Sequence, residues 1–394
     1  MLYAAVAQAE DPDTAAAAAD LIAKARQRWP QGALAPSVGV VFAEVHADHA
    51  ALLRALGEAW PGIRVVGCTT DGEAASPTGF AEDSIVLTLL GSEDVGLGVG
   101  VGRGIGRATA SAAREAVRQA YAEAGVPERT PRGVVALADS LTASGAALVD
   151  ALQTAAGAGV PVVGGTAGDQ LQFTGTYQFL NGEVLRDAVV VLAFAGPVTL
   201  AHGVASGWRP VGPTVEVTGA AGNTVETLDG RPALAFYQDY IGPRDPLGEH
   251  ALAVFEGEGD EIAYMRAPLA ANHETGAITF TGDVPEGTRV RLTEYTRAAV
   301  LDACATSIAT AQARLQAAAP GNSPALAWFF SCAGRRTVLG TWSAREFELV
   351  GERLGPDVPI AGFYAYGELA PVGLAAPSRF HAETFVTLLV GSAP

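Results

Sequence analysis

The chain has 394 residues, 49% of them hydrophobic and 17% charged, and its 25 Lys and Arg stand against 42 Asp and Glu for a net charge of −17. That length exceeds one ordinary core and predicts two or three domains, and the apolar content leaves no compositional case for disorder. So acidic a surface repels phosphate backbones and anionic lipid, which argues against nucleic-acid and membrane partners.

Lys24 is the single lysine. This removes a Walker A phosphate loop and argues against a Schiff-base mechanism. Cys68, Cys304 and Cys332 lie far apart, with no metal-ligand spacing among them or the six histidines. They fit a reducing cytoplasm and give neither a disulfide framework nor a metal site. His46 and His49 are read as surface residues. The start MLYAAVAQAEDPD lacks a basic n-region and a long apolar core, so no signal peptide is expected. No run of about 18 uncharged apolar residues suggests a membrane span.

In chain order, residues 1–10 form a strand, and Asp13 or Thr14 caps an Ala-rich helix. SVGVVFAEV at 37–45 is a strand of buried type, followed by a helix over 48–60 and a strand over 63–66. SIVLTLL at 84–90 and the Gly-alternating run at 94–106 are further strands, and 108–125 is a helix. The order then returns: a strand at 133–138, a helix over 144–156 capped by Ser144, and strands at 161–163, 189–194 and 198–205. Asn181-Gly182 reads as a hairpin turn. After Trp208 the pattern shifts to short strands punctuated by Gly and Pro up to residue 292. Residues 296–319 form the longest helix. A strand at 325–330, a helix over 343–354 and strands at 358–361 and 385–390 complete the chain.

Three stretches share a strand running into a Gly turn with an acid: IRVVGCTTDGE at 63–73, VPVVGGTAGD at 160–169 and VPIAGFYAYGELAP at 358–371. Three copies of strand–helix–strand–Gly turn–strand are therefore expected, near 37–102, 133–206 and 325–391. Each parallel crossover is right-handed and each later strand returns antiparallel. The fold class is α+β: two domains with mixed sheets flanked by helices.

GCTTDGE at 67–73, GGTAGD at 164–169, His202 with Gly207-Trp208, SCAGR at 331–335 and GFYAYGE at 362–368 together resemble the FIST family. The resemblance implies a FIST N-like domain over 1–225 and a FIST C-like domain over 226–394. It implies a stand-alone sensory module of signal transduction that binds a small polar metabolite, with an amino acid as the proposed ligand; its output, for which a protein partner is one candidate, is left unassigned. Nothing in it calls for a cofactor.

Tyr364, Tyr366 and Glu368 follow a strand, where phenols and a carboxylate can meet a ligand ammonium or hydroxyl; one tyrosine faces the site and the other packs. Arg335 is the candidate carboxylate clamp. Cys332, at a strand end beside two arginines, outlines a rival reading as the nucleophile of a hydrolase or transferase with His202 as its base. A partner-binding scaffold is the third reading. Thr69, Cys68 and Thr70 in the first turn, and Thr166 and Asp169 in the second, add hydroxyl and carboxylate contacts, or satisfy local amides. The three turns are expected to converge on one cleft.

Overall fold

Three crossovers set the architecture. Val38–Ala43 runs through the helix His49–Ala59 to its parallel partner Arg64–Thr69. Pro131–Ala138 runs through Gly145–Ala156 to Val162–Thr166. Pro324–Cys332 runs through Ala333–Leu339 and Ser343–Leu354 to Ile360–Ala365. In this computed structural model, which describes residues 1–257, 259, 261–374 and 376–392, each pair lies within a mixed six-stranded sheet.

The first strand of each pair takes an antiparallel neighbour on its other side: Ile85–Gly91, Ala188–Ala195 and Phe385–Ser392. Beyond these lie Tyr3–Ala9, Gly96–Arg103 and Val198–Ala205. The run at 94–106 thus belongs to the second sheet, not with the first pair. Its alternating glycines have a steric cause. A Cβ at Gly96, Gly98, Gly100 or Gly102 would stand 2.0 to 2.1 Å from a carbonyl oxygen of the helix Ile105–Ala124. Bare glycine lets that helix lie directly on the strand.

The sheets exchange strands. Glu73–Ala75, which follows the first pair, joins the third sheet beside Ile360–Ala365. Glu368–Pro371, after the third pair, joins the second sheet beside Val162–Thr166. Gln178–Leu180, after the second pair, joins the first sheet beside Arg64–Thr69. The registers agree: Glu73 lies opposite Phe363, Glu368 opposite Gly165 and Gln178 opposite Cys68, each one step from a pairing onto Gly362, Gly164 or Gly67. Asp169 was expected to be the acid of its turn; the position matching Glu73 and Glu368 is Gln178.

The inner faces of all three sheets meet in one core that includes Phe42, Leu137, Phe194, Trp328, Phe330 and Phe363. Helices cover the outer faces. Strands buried on both faces explain the unbroken apolar runs in the sequence. Asp13, Asp48, Ser144 and Thr296 cap helix N-termini with their side chains. His49 is buried, its Nε2 2.9 Å from Glu44 O, and is not the surface residue expected.

A separate antiparallel sheet is inserted between Val198–Ala205 and the long helix Arg297–Ala318, and encloses the helix Ala233–Ile241. The expected division at 225/226 falls inside its strand Thr224–Leu228. Two boundaries near the site also differ from expectation. Pro324–Cys332 runs on through Cys332, past the strand end expected at 330, and Ala333–Leu339 is helical. Ile360–Ala365 includes Gly362 and Tyr364, which were placed in a turn. Gly362 does not bend the backbone; it is bare because Phe329 lies against it, with the ring 2.4 Å from where a Cβ would be.

Candidate functional site

The three turns pack against one another. Asp71 N donates to Tyr364 O, and Tyr364 N to Gly72 O, both at 2.9 Å. Gly168 N donates to Thr69 O at 3.0 Å, and Thr166 N to Gly367 O at 2.8 Å. Thr69 Oγ1 accepts from Tyr177 N at 3.0 Å. Thr69 and Thr166 therefore tie segments together and are absent from the cleft described below.

Beside this junction opens a cleft of about 400 Å³. One wall is the end of the strand Pro324–Cys332 and the helix after it: Cys332, Gly334, Thr337 and Val338. Tyr366, Phe380 and Glu383 come from the segment between Ile360–Ala365 and Phe385–Ser392. Leu141, Leu171 and Phe173 come from loops of the second sheet, and Leu247, Glu249 and Leu269 from the inserted sheet.

Asp169 builds the rim by bonding the loop that follows it. Its carboxylate accepts from the backbone N–H of Phe173, Thr174 and Gly175 at 2.7 to 2.9 Å and from Tyr366 Oη at 2.5 Å. Burial works to raise its pKa, but the Tyr366 hydroxyl and these amides outweigh it and hold the carboxyl below the usual range. Tyr366 Oη in turn accepts from Leu171 N at 2.6 Å, and its ring stacks on Phe173 at 4.9 Å. Leu171 and Phe173 adopt left-handed φ values of 59° and 52°, a strained conformation for large side chains.

Tyr364 points to the other side of its strand. Its hydroxyl donates to Glu346 Oε2 at 2.9 Å, and its ring meets Phe80 edge-on. Arg335, expected to clamp a ligand carboxylate, is consumed in the same buried network. It donates to Glu346 Oε1 through Nε at 3.0 Å and Nη2 at 2.5 Å, and to the carbonyls of Val300 and Ser206. Neither residue touches the cleft. The next arginine, Arg336, pairs with Asp71 at 3.0 Å and Glu82 at 2.8 Å. Burial lifts Asp71 to about 6 despite Arg336.

Glu368 is fully buried behind the cleft. Oε2 accepts from Thr384 Oγ1 at 2.7 Å and Thr384 N at 3.3 Å, whereas Oε1 has no partner. Burial, reinforced by the neighbouring Glu383, pushes its carboxyl well up. Cys332 lines the cleft, but burial, Glu368 and Glu383 push its thiol well up, against the opposing amides of Glu383 and Gly334. That is the opposite of an activated thiolate. Its expected base, His202, lines a different cavity, of about 300 Å³, beside Arg132 and Gln153. Burial and then Arg314 press His202 down to about 4.

Sequence reasoning missed Glu383. It is 1% exposed, adopts φ +59°, lines the cleft, and its Oε2 has no partner. Burial lifts its pKa to about 8, so it carries a proton at neutral pH. A signal existed in DSI at 83–85, DAV at 187–189 and ETF at 383–385. In each, an acid stands one or two residues before a strand that flanks a parallel pair. Ser84 bonds Glu73 Oε2 at 2.7 Å just as Thr384 bonds Glu368.

Fold and site together define a mixed α+β protein with a small-molecule-sized cleft where its two halves and an inserted sheet meet. Residues 37–231 match the FIST N domain and residues 233–371 the FIST C domain, and the chain belongs to the FIST family. FIST domains are sensory, small-ligand-binding domains. An uncharacterized protein of Mycobacterium bovis is 29% identical over 231 residues, 54% of this chain and 56% of its own length. One of Mycobacterium tuberculosis is 30% identical over 231 residues, 54% and 57% of the two chains. The chain thus spans about half the length of the curated relatives it matches. Among solved structures, cyanuric acid hydrolase from A. caulinodans aligns over 100% of this chain and 99% of its own at 11% identity and TM-score 0.42. A chorismatase aligns over 100% and 98% at 12% identity and TM-score 0.39. Scores this low bear on neither fold nor function. Among the described residues no helix is long and apolar enough to cross a membrane, and no cluster of His, Cys, Asp and Glu suits a metal ion.

Proposed function

We propose that this protein is a ligand-binding sensor whose site is the cleft beside Tyr366 and Glu383. One observation carries the reading. The exposed apolar side chains Leu141, Leu171, Phe173, Leu247 and Leu269, from four separate segments, all border this cleft. Apolar surface left open around a concavity with a few convergent polar groups is the signature of a small-molecule site. Three unpaired cysteines support a reducing, cytoplasmic setting, and the relay of the signal would need a protein partner.

The amino-acid ligand fits less well than a molecule with an apolar body. Among the described residues no arginine or lysine lines the cleft, so a ligand carboxylate would find no cation there. The hydrolase reading needs a base near Cys332, and His202 lies in the other cavity.

A thermal-shift screen of small metabolites against the wild-type chain and Phe173→Gly tests the proposal. Glycine suits φ +52° at that position, so the variant keeps its melting temperature while losing the ring that faces the cleft. Ligands that stabilise the wild type and not the variant support the site. Equal stabilisation of both moves the site elsewhere.

A further inference from the structure

We infer that the ligand class of this cleft is the amphiphilic amine: an organic cation whose ammonium lies against the Glu383 carboxyl and whose hydrocarbon body lies along Phe173, Leu247 and Leu269. The inference rests on the cleft being the ligand site and assigns the chemistry that site selects.

The floor group is a buried carboxyl with a free oxygen. Glu383 is 1% exposed, lines the cleft and has no partner for Oε2. A second carboxylate, Glu249, lines the same cleft and is partly exposed. The rings of Phe173, Tyr366 and Phe380 also line the cleft, with Phe173 stacked on Tyr366 at 4.9 Å and Arg266 already over Phe380. An anionic ligand would be buried between two carboxyl groups with no compensating cation among the described lining residues.

The charged and titratable groups around Glu383 agree with this assignment. Arg335, from the helix Ala333–Leu339, is the nearby cation, and Glu346 with two carbonyls already occupies it. Cys332 lies at the end of Pro324–Cys332, Glu368 opens Glu368–Pro371, and Glu249 precedes Leu252–Phe255. Tyr295, before the helix Arg297–Ala318, also senses the Glu383 charge. None of these supplies an unspent positive charge.

The free protein meets such a ligand with Glu383 protonated, because burial lifts its pKa to about 8. Binding is then an exchange: an ammonium enters, the Glu383 carboxyl becomes a carboxylate, and its proton leaves to solvent. A neutral or anionic ligand gives no such release.

The test is isothermal titration of the wild-type chain with 2-phenylethylamine, 2-phenylethanol and 3-phenylpropionate, in phosphate and in Tris at pH 7. The amine is expected to bind roughly tenfold or more tighter than the alcohol, the scale of a charge-assisted contact. It should release about 0.9 proton per site, the fraction of Glu383 protonated at that pH. Its affinity should rise about tenfold between pH 6 and pH 7 and level off above 8. Glu383→Gln should cost the amine roughly tenfold and the alcohol less than about threefold. If that variant does not fold, the proton count and pH profile of the wild type decide the matter. Alcohol or carboxylate binding as tightly as the amine, or amine binding without proton release, overturns the class and leaves the cleft standing. If no probe binds the folded wild type, or if all bind Phe173→Gly unchanged, the cleft reading falls and the class with it.

Discussion

The Cα of Gly334 lies against the carboxyl group of Glu383: a Cβ at 334 would stand 2.2 Å from Glu383 Oε1, 2.6 Å from Oε2 and 2.7 Å from Cδ. The helix beginning at Ala333 therefore holds the acid in place by presenting a bare backbone. Gly334→Ala must displace the whole carboxyl. The helix gains up to about 1 kcal/mol from alanine's propensity, which offsets part of the cost of moving a flexible side chain. The expected outcome is stability within about 1 kcal/mol of wild type in urea unfolding, together with a roughly tenfold or greater loss of ligand affinity. A large loss of stability with affinity unchanged would mean that the glycine serves the helix and not the acid.

Tyr366→Phe removes one hydroxyl that serves two partners. Asp169 loses its phenol donor, and the N–H groups of Leu171 and Asp169 lose their acceptor. The loss expected is about 1–3 kcal/mol, since a buried carboxylate and these amides are left short. The loop over 170–175 should then exchange its amide hydrogens faster than the rest of the second sheet. Uniform acceleration across that sheet would show that Tyr366 supports the fold at large and not this rim.

Much of this architecture was legible. Continuous apolar runs fixed the three parallel pairs, and Asp13 and Ser144 marked helix starts that their side chains do cap. The alternation of tyrosines at 364 and 366 foretold that they face opposite ways, since successive strand residues do. What was not legible depended on contacts distant in sequence. The strand exchange that brings Glu368 beside Gly165 spans about 200 residues and leaves no local pattern. Arg335 read as a free cation because its partner Glu346 lies 11 residues on, in another helix. Glu383 shares only the acid-before-strand pattern of DSI and DAV; its importance comes from burial, a left-handed φ and a neighbouring glycine.

Arg335 and Glu346 form a fully buried pair, at 0% and 1% side-chain exposure. Removing one member leaves a buried charge without its counter-charge. Arg335→Ala should cost about 3–5 kcal/mol, and the double change Arg335→Met with Glu346→Leu far less, because the desolvation of both charges is then avoided. Urea midpoints of the single and double variants measure this directly. A ligand-clamping role for Arg335 predicts the reverse: a mild stability change and a selective loss of binding.

The buried acids fix how stability responds to pH. Burial lifts Glu73 and Glu383 to about 8 in the folded chain, against about 4.3 for a glutamate in the unfolded one. A raised carboxyl pKa contributes stability that is full below the unfolded value and is lost as pH rises through the folded one. Over that interval the native state holds protons that the unfolded state has released. Histidines act in the opposite sense lower down. His202 and His381 are pressed to about 4 by burial, so their contribution is lost as pH falls from about 6.5 towards 4. Asp71, at about 6, has lost its share by then. Glu368, pushed well up by burial, adds to the slope between pH 6.5 and 8, the window in which Glu73 and Glu383 titrate. Each should lower stability by on the order of 1–2 kcal/mol across it. The melting temperature should fall steadily over that range, and Glu73→Gln or Glu383→Gln should each flatten part of the slope. A melting temperature that rises between pH 6.5 and 8 would mean that these carboxyls are ionised in the folded protein, and with that the proton release expected on amine binding would vanish.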